Sequence, residues 1–365
     1  MITTSTKRGI SGLEFEAGSI AAADVRAEGD VRLVGASVAS LTPGLFREGE
    51  IANPEALSGE LKEMFTANKL NKRVRIGVAN QRVVVRTMRL PAIEKPAELE
   101  NAIRAQAADH IPMPLDQAVM EHRAIGRSTG VEGEDSIDVI VVAARRDMIK
   151  GLVEATRRAG LRPEGVDLSA FGMIRALRAA SEAELGPAPS YEERMENPDV
   201  EFPAVLYCNF GDVINLAVAR GEMCLFTRVS QFGFEGIVQR LAERRELNLE
   251  HARQWLAHVG LEEPLEAIEG DPEIVAATRD VLAEGASKLV DELRMSLDFY
   301  SAQEAAVAVG SVVACGTGTT IPGLCERIER ELGLRVVAPL PQALAHLDPA
   351  TGARLTLPLG LGMEN

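Results

Sequence analysis

The residues of this chain best placed to do chemistry lie in Val312–Leu324, VVACGTGTTIPGL. An apolar strand runs into Gly316-Thr317-Gly318, then a proline, then an amphipathic helix (CERIERELGL). Glycines between a strand and a helix bring bare backbone N–H groups and a positive helix end to one point, which suits a phosphate or a nucleoside. The same spacing arises where glycine serves only to turn the chain, so that structural role stands beside the chemical one. A second glycine turn, Asn209-Phe210-Gly211, joins two apolar runs in AVLYCNFGDVINLAVARGE. No Ser/His/Asp or Cys/His set can be assembled around either turn, and the five histidines are scattered. No catalytic residue is therefore assigned. Cys208, Cys224, Cys315 and Cys325 sit in apolar strands or a helix without C-x-x-C spacing. Buried reduced thiols are expected there, and neither zinc nor another metal.

The elements that must hold these turns need a chain of some size. At 365 residues two domains are expected. A hydrophobic fraction of 46% with 25% charged residues is globular composition. The net charge of −15 argues against a general nucleic-acid binder, which needs a basic face. No apolar run approaches the roughly 20 residues of a membrane-spanning helix. The start, MITTSTKRGISG, has no apolar core of the kind a secretion signal needs.

Along the chain, GLEFEAGSIAAADV and VRLVGASVASL read as strands with turns. The helix PEALSGELKEMFTANKL follows, with Leu57, Leu61, Met64 and Phe65 on one face. RVRIGVA and RVVVRTMRLP are strands split at Asn80-Gln81. A helix then carries Leu99, Ile103 and Ala107 on its buried stripe and stops at Pro112 and Pro114. AVMEHRAIG and SIDVIVVAA pair around a polar loop, and RDMIKGLVEATRRAGL is expected to pack through Ile149, Leu152, Val153 and Leu161. Residues 186–202 read as a linker. The basic group Lys69, Lys72, Arg73 and Arg75 reads as a solvated strand edge, and RLTLPLGLGME as a buried last strand. Each half thus opens on a strand–turn–strand unit, as in a duplicated α/β fold.

Several blocks resemble the PilM family, actin-like cytoplasmic proteins of type IV pilus machines. They are LPAIEKPAELENAIRAQAADHIPMPLDQAVMEHRAIG, the SIDVIVVAARRDMIKGL block after it, LVDELRMSLDFYSAQ and PLGLGME. The resemblance implies an actin/FtsA-like duplicated α/β fold with a small inserted α/β subdomain. Residues 1–81 and 166–185 would form the first actin-like domain, 82–165 the insertion and 203–365 the second domain. It also implies a cytoplasmic adaptor beneath an inner-membrane pilus or type II secretion-like platform, holding the N-terminal tail of a PilN-like membrane partner. The tail would bind where the insertion meets the first domain. Candidates are Arg82, Val84 and Arg86 on a strand and Ile103, Ala107 and Ile111 on a helix, with internal packing as the other reading of each.

The same resemblance implies an ATP site built from two phosphate hairpins and an adenosine turn. Its first hairpin, with an acid, small residues and a lysine, matches Glu14-Phe15-Glu16-Ala17-Gly18-Ser19-Ile20-Ala21. Here the acid is the longer Glu14, Glu16 stands for a glycine and Ala21 for the lysine. A carboxylate facing phosphate is repelled by about 1 kcal/mol or more. The second hairpin carries Asn209 for an aspartate before Gly211. Asp212 beside it is expected to point elsewhere. The family's acid and base on a later helix become Arg253 and Leu256. Only Gly316-Thr317-Gly318 is partly kept. The expectation is a fold that retains a vestigial site (Glu14, Gly18, Ser19, Asn209, Gly211, Gly316, Thr317, Gly318) and no cofactor. Glu14 is expected as an exposed hairpin residue and Asn209 as a turn residue with a local side-chain bond. The alternative is an ATP- and magnesium-binding switch, and a sugar-kinase-like phosphotransferase ranks behind both.

Overall fold

Two five-stranded sheets with the same internal order carry the molecule. In the first, β1 (Ile10–Glu16) and β2 (Ser19–Glu28) form an antiparallel hairpin about Ala17-Gly18, and β3 (Asp30–Ser40) continues antiparallel. β6 (Arg73–Val78) and β10 (Arg162–Leu168) lie parallel on the other side, giving β10-β6-β1-β2-β3. The second sheet repeats this with β11 (Ala204–Phe210), β12 (Ile214–Arg220), β13 (Met223–Ser230), β14 (Val309–Cys315) and β15 (Arg335–Val337), ordered β13-β12-β11-β14-β15. The computed structural model describes residues 9–42, 44–47, 50–93, 95–129, 135–186, 203–303 and 306–363. The segment read as a linker lies, from 187 to 202, outside them, as do residues 1–8.

A short pair, β4 (Phe46–Arg47) and β5 (Glu50–Ile51), precedes α1 (Pro54–Ala67). Asn53 caps α1 by accepting the Ala56 N–H at 3.1 Å, and Pro54 occupies its first turn. The helix buries Leu57, Leu61, Met64 and Phe65, the stripe its spacing predicts. β7 (Val84–Pro91), β8 (Ala118–Thr129) and β9 (Asp135–Arg145) make a separate sheet, β7-β9-β8. One face of it packs on α2 (Pro96–His110) through Val84, Met88, Val139 and Val141 against Ile103 and Ala107. α3 (Arg146–Arg158), by contrast, shares the core of the first sheet. Its buried stripe is Met148, Leu152, Ala155 and Thr156, whereas the expected Ile149 and Val153 are only half-buried.

α4 (Ser169–Leu185) joins the three larger sheets: it lies against β6 and β10 of the first, while Met173, Ile174 and Leu177 share a core with Val85 and Ile140 of the three-stranded sheet and with Tyr207, Ala217 and Ala219 of the second. In the second half, α5 (Phe234–Arg245), α6 (Leu249–Val259), α7 (Pro272–Ser301) and α8 (Leu324–Leu332) share one core with the second sheet.

The tail RLTLPLGLGME is not a strand. It belongs to α9 (Pro349–Gly362), which Asp348 caps by accepting the Thr351 N–H at 3.0 Å. From Gly352 to Gly362 every residue of α9 is buried, so the helix is interior on all sides. It lies on β1, β2, β6 and α4, back across the first sheet. Its closing carbonyls are met by arginines: Arg75 Nη1 donates to Met363 O at 2.8 Å and Arg175 Nε to Gly360 O at 2.9 Å. Arg75 is thus a helix cap and not part of a solvated edge. Among the described residues no helix is long and apolar enough to cross a membrane.

Candidate functional site

The turns of the two hairpins, one from each large sheet, meet through side chains. The Ala17 N–H donates to Asp212 Oδ2 at 2.8 Å, and the Asp212 N–H donates to Glu16 Oε1 at 3.4 Å. Asp212 therefore points into the site, contrary to the expectation from its place beside Gly211. Its turn leaves the strand alternation that would have turned it away. The Ser19 hydroxyl donates to Glu16 Oε2 at 3.4 Å. Gly211 has a steric reason to be glycine, because a Cβ there would overlap the Glu16 carboxylate. Gly18 has none, with open space around it.

Glu14 is not an exposed hairpin residue. It sits inside β1 opposite Ala21 and is 5% exposed. Ala21 is buried against α9 with Leu355 and Leu359, so that face of the hairpin has no room for a solvated lysine. The positive charge comes instead from α9. Arg354, 7% exposed, places Nε 3.0 Å from Glu16 Oε2 and 3.0 Å from Ser19 Oγ, with Nη1 3.7 Å from Glu14 Oε2. The tail's reading as a strand hid this residue, although a lone arginine in TGARLTLPLGLG was a visible signal.

Burial pushes the Glu14 carboxyl up to about 7 against the pull of Arg354, and Glu16 adds to the rise. Burial likewise raises Asp212, against the Ala17 N–H. It also raises Glu235 against Arg253, whose Nη2 lies 2.8 Å from both Glu235 oxygens. Arg253 thus pairs with an acid on α5 that the sequence did not single out, while Leu256 is core.

A pH dependence follows. Unfolded, Glu14 titrates near its ordinary 4.5; folded, near 7. Between these values the folded state holds more protons, so stability falls as pH rises, and above 7 the deficit is constant. Glu14→Gln is expected to raise stability at pH 8 by about 2–3 kcal/mol and to leave it unchanged near pH 4.5. Urea unfolding at the two pH values checks this; an equal effect at both would assign the change to packing.

Asn209 is a strand residue and not a turn residue. It pairs with Asn215, and its side chain reaches a residue distant in sequence: Oδ1 accepts from Cys315 Sγ at 3.6 Å. Gly316 has φ +87°, and a Cβ there would overlap Asn209 Oδ1. Gly318 packs on the Phe210 side chain in the same way, and Thr317 opens a short 3-10 turn between them. Close packing favours glycine at both positions, and the left-handed backbone at Gly316 favours it again. Among the described residues, no group of three His, Cys, Asp or Glu is arranged to hold a metal ion. The four cysteines are free thiols, three of them buried. The N–H groups of Ala17 and Asp212 are bonded to carboxylates, and Glu16 with Gly211 fills the gap between the turns.

The residues considered for a partner's tail divide. Ile103, Ala107 and Ile111 are fully inside the core under the three-stranded sheet, which leaves a peptide nothing to reach. Arg86 is exposed and Val84 nearly buried, and both line a cavity of about 460 Å³. Its walls are β7, Leu168 and Ala170 at the head of α4, and Phe226, Arg228 and Phe299 of the second half. Arg82 lines an adjoining hollow and pairs with Glu50. A second cavity, about 630 Å³, opens elsewhere on the seam with α4, beside Arg123, Ile125, Phe171 and Cys224.

The family described as "Type IV pilus assembly protein PilM" matches residues 12–351. The chain belongs to the PilM family. A solved "PilM-PilN type IV pilus biogenesis complex" contains a chain 26% identical to this one, covering 97% of each with a TM-score of 0.75. The ethanolamine utilization protein EutJ from Carboxydothermus hydrogenoformans is 12% identical over 97% of this chain and 88% of its own, with a TM-score of 0.50, a likeness of fold alone. The duplicated sheets, with the three-stranded sheet inserted after β6, are the actin-like fold of the PilM family.

Proposed function

We propose that this chain is a cytoplasmic adaptor of a type IV pilus assembly platform, one that holds the N-terminal tail of a PilN-like membrane protein without using nucleotide. The observation that carries the first part is the whole-length likeness to a PilM chain from a PilM–PilN complex. The second part is supported by the carboxylates that take up the hairpin N–H groups.

The tail is assigned to the cavity beside β7. An extended segment there has a strand edge for main-chain pairing and apolar walls for alternate side chains. β7 is an edge strand of its sheet, and Val83, Val85 and Phe226 supply the walls. Phe299, 56% exposed, stands at the rim. A synthetic tail of the PilN-like partner should bind the intact chain in an anisotropy titration. Arg86→Glu and Phe299→Ser should each weaken binding about ten-fold, near 1.4 kcal/mol, with an unchanged melting temperature. Weakening by Ile125→Asp alone would move the tail to the other cavity. No binding to the wild-type chain would overturn the adaptor reading.

A further inference from the structure

The contacts between the two hairpins are reciprocal. Each turn offers a backbone N–H, and each is bonded to a carboxylate carried by the other turn: Ala17 N–H to Asp212, Asp212 N–H to Glu16. The excess negative charge is countered by one buried cation, Arg354, which also holds the Ser19 hydroxyl and, through Nη2 at 3.4 Å, the Ser19 carbonyl. Arg354 comes from a helix that is itself wedged against β1 and β2. Anionic oxygen on the N–H groups of both turns, with a cation alongside, is the charge pattern that a bound phosphate would create.

We propose that Glu16, Asp212 and Arg354 form an internal substitute for a bound phosphate, a staple that fastens the two hairpins together with no ligand. This rests on the reading that the site works without nucleotide. It goes further by giving the altered residues a positive task. Substitutions that would only disable a phosphate site need not reach across it. Here the glutamate in place of glycine lands on the opposite turn, and Gly211 leaves the space for it.

Amide hydrogen exchange on the full chain tests the staple. In the wild type, the peptides holding Ala17–Ser19 and Asp212–Val213 should be protected together. Asp212→Ala should speed exchange in both hairpins by about ten-fold or more, the scale of a lost charge-assisted bond. Glu16→Ala should do the same. In the double variant Glu16→Ala/Asp212→Ala, inorganic phosphate should restore protection of both turns where chloride at equal ionic strength does not. Faster exchange confined to the substituted turn, or phosphate acting no differently from chloride, would overturn the staple. Should the double variant not fold, Asp212→Asn, which keeps the shape, carries the exchange test. A Mg-ATP arm on the wild type separates the two ideas: added protection there would overturn the nucleotide-free reading and leave the staple to be judged on its variants.

Discussion

Gly12→Ala should destabilise the fold by about 3 kcal/mol or more, since a buried overlap leaves no room for relaxation. Gly12 lies within β1, where α9 crosses the strand with no side chain between the two backbones. A Cβ on Gly12 would overlap the Pro358 carbonyl and come 2.8 Å from Leu361 Cβ. The other side of α9 repeats the arrangement, because a Cβ on Gly360 would overlap the Gly172 carbonyl of α4. Gly360→Ala should therefore cost as much. Both changes push the same helix off its seat, so their effects are expected to be non-additive. Gly59→Ala is the control. Its Cβ would point into open space on α1, and alanine there should stabilise by up to about 1 kcal/mol. Urea midpoints with unchanged slopes would report all three.

The second large effect is expected from Arg354→Met. The substitution keeps most of the volume and strands Glu14, Glu16 and Asp212 without their cation. Breaking a buried ion pair from one side costs about 3–5 kcal/mol, most of it the uncompensated charge left behind. The loss should be largest at pH 8 and shrink towards pH 5. Glu14 and Asp212 are already raised by burial and would be expected to take up protons more readily without the arginine. Glu16→Gln on the Arg354→Met background should recover part of the loss at pH 8. A deficit that is the same at both pH values would point to lost packing of the arginine stem.

What could be read from the sequence followed the strength of local periodicity. α1 and α2 announced themselves by apolar residues at helical spacing with proline and asparagine at their ends, and both hairpins by glycine between apolar runs. The last helix was misread because Leu355, Leu357, Leu359 and Leu361 alternate with Thr, Pro and Gly, a period of two. A helix buried on every side has no polar face to reveal its period of 3.6, so tertiary packing alone decides it. That error removed Arg354 from the site, and with it the reason for Glu14 and Glu16. Asp212 was missed for a related cause: side-chain direction follows alternation inside a strand and ceases to follow it at a turn. The candidate glycines stood out in the sequence, but the close packing of Gly211, Gly316 and Gly318 against Glu16, Asn209 and Phe210 is something only the tertiary structure displays.

The most direct test of a nucleotide-independent adaptor is calorimetry of the wild-type chain with Mg-ATP and with the partner's tail, separately and together. No saturable heat is expected from Mg-ATP up to millimolar concentration, and the tail should bind with the same affinity whether or not Mg-ATP is present. Saturable binding of Mg-ATP that shifts the tail's affinity by ten-fold would contradict it, and would make the hairpins a working switch.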